Sequence, residues 1–202
     1  LLIKLIEDET EPSVAEVVPI LPDLSDNIQF GNSLISQTEL NGINGANHQI
    51  MEIAPFDWNT INNGCGFDVI IGNPPYVNTE GMHALLPSAE VEVYKKKYKT
   101  SHKQFDKYFI FIEQAINKIK ETGLGCYIVP NKFFKIGAGE KLRNLIAKER
   151  MLVSLDDFGD AQLFDDKTIY SSILLLSKEK HTTFVYSSVD SANKLLSLIH
   201  IS

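Results

Sequence analysis

The sequence predicts an α/β fold with a mixed sheet, and three observations support that prediction. Short runs of branched apolar residues stop at glycine or proline, amphipathic helical stretches lie between them, and the two kinds of segment alternate along the chain. In such sheets ligands bind beyond the carboxyl ends of the strands. The loops after Phe30, Ile71, Val129 and Phe158 are therefore where chemistry is expected.

The chain opens without an initiator methionine, and Leu1, Leu2, Leu5 and Ile6 have helical spacing, as though a helix were already under way. It reads as a fragment. Residues 9–26 (ETEPSVAEVVPILPDLSD) hold three prolines and several acids, which suits an extended connection. Strands are expected at 27–30, 67–71, 125–129, 152–158 and 169–176. The runs FDVII and YSSILLL, bounded by turn residues, suggest burial on both faces. From Phe105 to Lys120 a helix is expected to bury Tyr108, Phe109, Ile112, Ala115, Ile116 and Ile119 and to stop at Gly123. A shorter helix, Glu140 to Lys148, groups Leu142, Leu145 and Ile146. Region 36–66 reads as a helix flanked by loops, with Trp58 either a ligand platform or an aromatic anchoring a loop to the core.

The 202 residues, 44% hydrophobic and 22% charged, are enough for one globular domain and exclude a disordered or collagenous chain. No apolar run reaches the roughly 18 residues of a membrane span, and the start has no leader pattern, so no membrane association and a cytoplasmic location are expected. Cys65 and Cys126 are far apart and outside any ligand-spaced cluster. They imply no metal site and no disulfide framework, and are expected to be buried thiols. A net charge of −7 argues against a grip on nucleic acid by the whole surface. Between Tyr94 and Lys107, however, six lysines face one aspartate, a local +5. Lys96, Lys97, Lys99 and Lys103 are candidates for phosphate contacts, which position DNA without reading its sequence, or else form a solvated helix face.

The loop after the second expected strand reads Asn73-Pro74-Pro75-Tyr76. Two prolines fix φ, bias the preceding residues toward extended conformations and forbid a helix start. The Asn73 amide oxygen and the Pro74 carbonyl can both accept hydrogen bonds, with an aromatic ring beside them. An acceptor pair suits a planar NH2 group. It draws the nitrogen lone pair out of conjugation and toward an electrophile while Tyr76 stacks on the ring, so positioning and electrostatics carry the catalysis.

The string GFDVIIGNPPYV, 66–77, resembles the catalytic motif of amino-group DNA methyltransferases, in particular the adenine-N6 enzymes of the Eco57I-like, type IIG restriction-modification group. The resemblance runs through about residue 180 and implies a partial Rossmann-like, S-adenosylmethionine-dependent methyltransferase fold. NIQFGNSL (27–34) is similar to the motif that contacts the cofactor adenine, a role that falls to Asn32 with Ser33 beside it. FDKYFIFIE (105–113) is similar to the helix whose aromatic packs on that adenine, here Phe111. GLGCYIVPNKFF (123–134) and LRNLI (142–146) resemble the strand, loop and helix that follow. DFGDAQLFDDKTIYSSILLL (157–176) is similar to the last strand pair. There Phe164 would stack on the extruded base opposite Tyr76, and Lys167 would touch base or phosphate, unless Phe164 is a core aromatic. The reading is a base flipper acting on double-stranded DNA, because N6 of a paired adenine is out of reach of a methyl donor.

The family's glycine-rich first motif and acidic second motif are not found in this sequence. The implied strand order is 3-2-1-4-5-7-6, with strands 1 and 2 absent here and strands 3 to 7 within residues 1–180. Weak cofactor binding by the isolated chain is expected. Residues 181–195 would begin a following segment, a separate target-recognition domain is expected elsewhere, and LSLIHIS (196–202) resembles an adapter-derived tail. Rival readings are a methyltransferase acting on cytosine N4, a protein glutamine or an RNA guanine, and a catalytically silent fragment.

Overall fold

A computed structural model describes Leu24 and residues 26–162 and 170–188. It divides at Gly31 into two compact units. In the first, the strand expected at 27–30 does not form. The N–H groups of Asn27 and Ile28 both donate back to the Leu24 carbonyl at 2.9 and 2.8 Å, closing a turn. With those donors spent in the turn, the segment joins no ladder among the described residues. Residues 9–23, expected to be an extended connection, lie outside the described residues, as do 1–8 and 189–202.

The second unit is built on a five-stranded mixed sheet. Its strands are β1 (Phe67–Gly72), β2 (Ile119–Pro130), β3 (Leu152–Gln162), β4 (Tyr170–Ser177) and β5 (Val185–Ser188), in the order β1-β2-β4-β3-β5. β1 runs parallel to β2, β4 is antiparallel to both β2 and β3, and β5 is parallel to β3. The first four reproduce the 4-5-7-6 part of the order implied by the resemblance, and β5 adds an edge strand that sequence patterning missed. Among the described residues five α-helices accompany the sheet: α1 (Ala46–Ile53), α2 (Thr79–Leu85), α3 (Ser88–Lys97), α4 (Lys107–Lys118) and α5 (Glu140–Lys148).

Burial corrects one strand and supports another. In β4, central in the sheet, Ser171, Ser172, Leu174 and Leu176 are buried, as YSSILLL suggested. In β1, Val69 is 53% exposed and Ile71 78% exposed. β1 is the edge strand among the described residues, and its all-apolar run does not bring cover on both faces. The core collects Leu34 and Ile35 with side chains from α1, α3, α4 and α5 and the buried positions of β2 to β4.

Helix α4 is shorter and more completely buried than its apolar stripe predicts. It ends at Lys118, and Ile119 opens β2 opposite Phe67. Gly123 is not the helix stop. It sits where the β1–β2 register shifts, and a Cβ there would come within 2.7 Å of the Phe67 carbonyl oxygen. Ile110, Glu113 and Gln114 are buried along with the predicted face. Cys65, in the turn before β1, is exposed rather than buried, and Cys126 is half-buried. Among the described residues no helix is long and apolar enough to cross a membrane.

Candidate active site

Asn73 to Tyr76 leave the carboxyl end of β1, and both ends of the loop are held. Gly72 precedes it, and a Cβ there would lie 2.6 Å from the ring of Tyr127 on β2, so only glycine lets that buried ring lie against the strand end. Downstream, the Val77 carbonyl accepts from Lys107 N at 2.7 Å. Asn78 bridges to Asp106, and the Thr79 hydroxyl donates to the Phe105 carbonyl while accepting from Phe105 N–H. The Asn78 side chain caps α2 by accepting from Gly81 N–H at 2.8 Å. The loop is thus strung between β1 and the first turn of α4.

Within the loop Pro74 is buried, whereas Asn73 and Pro75 are exposed. The Tyr76 hydroxyl reaches both the Asn73 Oδ1 (2.8 Å) and the Ile128 carbonyl on β2 (3.1 Å). Its ring meets Tyr108 edge to face, with centroids 6.0 Å apart. Partial burial raises the Tyr76 phenol above its ordinary value, which keeps it a neutral donor. Tyr76 is therefore more than a stacking surface, because its O–H engages one of the two lone pairs of the Asn73 amide oxygen.

Beside β1 lies a cavity of about 280 Å³ lined by Ser33, Trp58, Ile71, Phe111, Gln114 and Tyr127, among others. Two residues predicted from the resemblance to hold the cofactor, Ser33 and Phe111, thus come together here. Phe111 stays only partly buried on a helix that buries even Glu113. The Ser33 carbonyl accepts from Trp58 Nε1 at 2.8 Å and from Gln114 Nε2 at 3.2 Å. Trp58 also packs edge to face on Phe56 and Phe67. It is an anchored aromatic whose ring also lines the cavity. Asn32 is not among the lining residues. Its Oδ1 accepts from Leu34 N at 3.1 Å, and its Nδ2 donates to the Tyr94 hydroxyl at 3.4 Å.

The lysines divide. Lys97 turns inward, donating to the Leu34 carbonyl (2.8 Å) and pairing with Glu39 (2.8 Å), and Lys107 pairs with Glu90. Lys96 pairs with Glu92 one turn away on the exposed face of α3. Lys99 and Lys103 are exposed, Lys103 with a left-handed φ of 56°. Lys97 is thus committed within the fold, whereas Lys99 and Lys103 face solvent. Phe164 and Lys167 lie outside the described residues.

Sequence reasoning missed two buried carboxylates with polar partners, one on α4 and one on β3. Glu113 accepts from Lys99 N, Thr100 N and Thr100 Oγ1 at 2.8 to 3.0 Å, tying the basic loop to α4. Asp157 accepts from Asn131 Nδ2 (2.8 Å), Gly159 N (3.0 Å) and the Tyr186 hydroxyl (3.3 Å). Neither has a sequence signal, since the partners of each carboxylate are set by tertiary packing. Among the described residues no three His, Cys, Asp or Glu side chains gather as a cation site.

The sheet order and the site loop at the end of β1 define an S-adenosylmethionine-dependent methyltransferase fold. A Listeria monocytogenes protein described as a class I S-adenosylmethionine-dependent methyltransferase shares it, with a TM-score of 0.51 at 20% identity over 67% of this chain and 41% of that one. The type IIL restriction-modification enzyme MmeI, solved in complex with DNA, gives a TM-score of 0.53 at 13% identity over 68% of this chain and 19% of its own. Residues 9–164 match the family model of the Eco57I restriction-modification methylase, and the chain belongs to that family. It is 45% identical over 196 residues to the type II restriction enzyme and methyltransferase RM.Eco57I of Escherichia coli, covering 97% of this chain and 19% of that enzyme. The chain therefore spans about a fifth of that relative's length.

Proposed function

We propose that this chain is part of a catalytic domain that transfers a methyl group from S-adenosylmethionine to N6 of an adenine flipped out of double-stranded DNA, within a restriction-modification or related defence system. The observation that carries the proposal is the Asn73–Tyr76 loop, clamped at both ends and bearing an exposed amide acceptor at the carboxyl end of β1. Membership of a methylase family supports it.

The residues present fit the adenosine end of the cofactor. The cavity beside Ile71 has an aromatic wall at Phe111 and polar groups at Ser33 and Gln114, and Asn32 adjoins it in sequence. When bound, S-adenosylmethionine supplies an electrophilic methyl group. The Asn73 Oδ1 and the Pro74 carbonyl accept from the two N–H bonds of the target amine, which localises its lone pair for attack. Tyr76 orients the Asn73 amide through its hydroxyl and presents its ring to the base. Phe164 stacks from the opposite side with Lys167 near the base or phosphate, and the stacking offsets part of the few kcal/mol of unstacking. Lys99 and Lys103, with Lys96 at the rim, contact phosphate. In this reading residues 1–180 belong to the catalytic domain, and a separate target-recognition domain supplies sequence specificity.

The test is acceptor analysis. The full-length protein that carries this chain is incubated with cofactor labelled in the methyl group and with duplex DNA, RNA or protein, and the products are digested. Label in N6-methyladenine from duplex DNA supports the proposal. Label in N4-methylcytosine, a guanine of RNA or a glutamine contradicts it.

A further inference from the structure

Four side chains on α3, α4 and the Asn32 loop form a hydrogen-bonded line that the reaction above does not use. The Tyr94 hydroxyl, wholly buried, donates a short hydrogen bond to Glu90 Oε1 one turn earlier on α3. Lys107 reaches the same oxygen at 3.3 Å, and its ammonium lies 5.4 Å from the centre of the Tyr94 ring. At the other end Asn32 Nδ2 lies 3.4 Å from the Tyr94 oxygen.

The placement of protons along this line has one solution. A carboxylate paired with an ammonium offers only lone pairs, so Tyr94 must give its single proton to Glu90. The phenol oxygen then has only lone pairs to show Asn32, so the amide must turn its NH2 end toward Tyr94. Its oxygen end faces the other way, where Leu34 N–H donates to it at 3.1 Å. The two anchors agree, and one lone pair of Oδ1 remains. An amide that could rotate by 180° would offer a donor or an acceptor alike. Held this way, the oxygen end offers only an acceptor, and the remaining N–H stays at the Tyr94 end.

We infer that Glu90 and Tyr94 are positioning residues that lock the Asn32 amide with its NH2 end at Tyr94 and its oxygen end left for a cofactor adenine, selecting a purine with a 6-amino donor over one with a 6-oxo acceptor. This rests on the reading of Asn32 as the contact to the cofactor adenine. It also explains how asparagine serves there, since a carboxylate at position 32 would confront the oxygen of a hydroxyl already committed to Glu90.

The test measures the binding preference of the full-length protein for S-adenosylhomocysteine over its inosine counterpart. Wild type is expected to favour the 6-amino form by about 100-fold, as for a polar group left facing a mismatched partner. Tyr94→Phe keeps the ring and removes the lock, and is expected to cut the preference to about tenfold or less. Loss of packing alone would weaken both ligands equally and leave the ratio unchanged. Glu90→Gln, whose amide no longer dictates the direction of the Tyr94 proton, is the second variant and is expected to reduce the ratio likewise. Asn32→Ala separates the two levels of the claim. A full preference in both Tyr94→Phe and Glu90→Gln, with loss in Asn32→Ala, overturns the lock and leaves the reading of Asn32 standing. A full preference in Asn32→Ala overturns both.

Discussion

Replacing Tyr76 by phenylalanine removes a single oxygen, and the structure says what that oxygen does. It sits 2.8 Å from Asn73 Oδ1 and 3.1 Å from the Ile128 carbonyl, while the ring keeps its edge contact with Tyr108. One proton shared between two acceptors at a half-buried site has a net worth of about 1 kcal/mol. If that energy holds the Asn73 amide in its productive orientation, its loss lowers the single-turnover methylation rate by roughly fivefold, since about 1.4 kcal/mol corresponds to a decade. Asn73→Ala removes the acceptor itself and is expected to cost on the order of 100- to 1,000-fold, as loss of a preorganised polar contact does. The two effects should not add. With Asn73 already alanine the tether has nothing to hold, so adding Tyr76→Phe should change the rate by less than about twofold. The assay is single-turnover transfer of labelled methyl to duplex DNA by the full-length protein and the three variants. If Tyr76→Phe costs the same factor in both backgrounds, the hydroxyl does not act through Asn73.

Glu113→Ala leaves the N–H groups of Lys99 and Thr100 without their acceptor at a buried site, and should cost about 3 kcal/mol, read as a lower urea midpoint. An unmoved midpoint would contradict the structural role of that carboxylate. Burial above all, with nearby carboxylates and phenols adding to it, raises the phenols of Tyr94, Tyr98 and Tyr108 above the ordinary 10.0. Because the folded state favours the neutral form, their contribution to stability is complete below that value and is lost as pH rises through the higher folded values. Tyrosinate absorbance and loss of the far-ultraviolet dichroism should therefore appear together above about pH 10, and ionisation of these phenols with the fold intact would contradict their burial. Lys99→Ala and Lys103→Ala should each reduce the salt slope of DNA binding by about one, whereas Lys97→Ala should lower stability and leave the slope unchanged. The reverse pattern would overturn the division of the lysines.

The parts of the fold legible in the sequence are those with a local signature. Helix α5 matches its predicted span, Glu140 to Lys148, because Leu142 and Ile146 recur at helical spacing on a helix that buries one side. The Asn73–Tyr76 loop was legible because two prolines after an apolar run fix both its place and its stiffness. Other elements depend on their neighbours. Residues 27–30 look like a strand by composition but close a turn, and the apolar run of β1 gives no sign that Ile71 lies exposed. Helices α2 and α3 escaped prediction, and Glu90, at a buried position of α3, breaks the apolar stripe that would have marked that helix. The lysine run looked uniform in sequence, yet Lys97 and Lys107 are drawn inward by Glu39 and Glu90 from other segments of the chain.

The central claim is that an acceptor at position 73 directs a methyl group to an exocyclic amine of adenine. It is tested most directly by measuring N6-methyladenine in DNA from cells expressing the full-length protein as wild type, Asn73→Asp and Asn73→Ala. The account predicts N6-methyladenine with wild type, a reduced level with aspartate, which keeps an acceptor oxygen, and a level lower by on the order of 100-fold or more with alanine. Methylation near the wild-type level in Asn73→Ala, or a wild-type product methylated at another base, would contradict it.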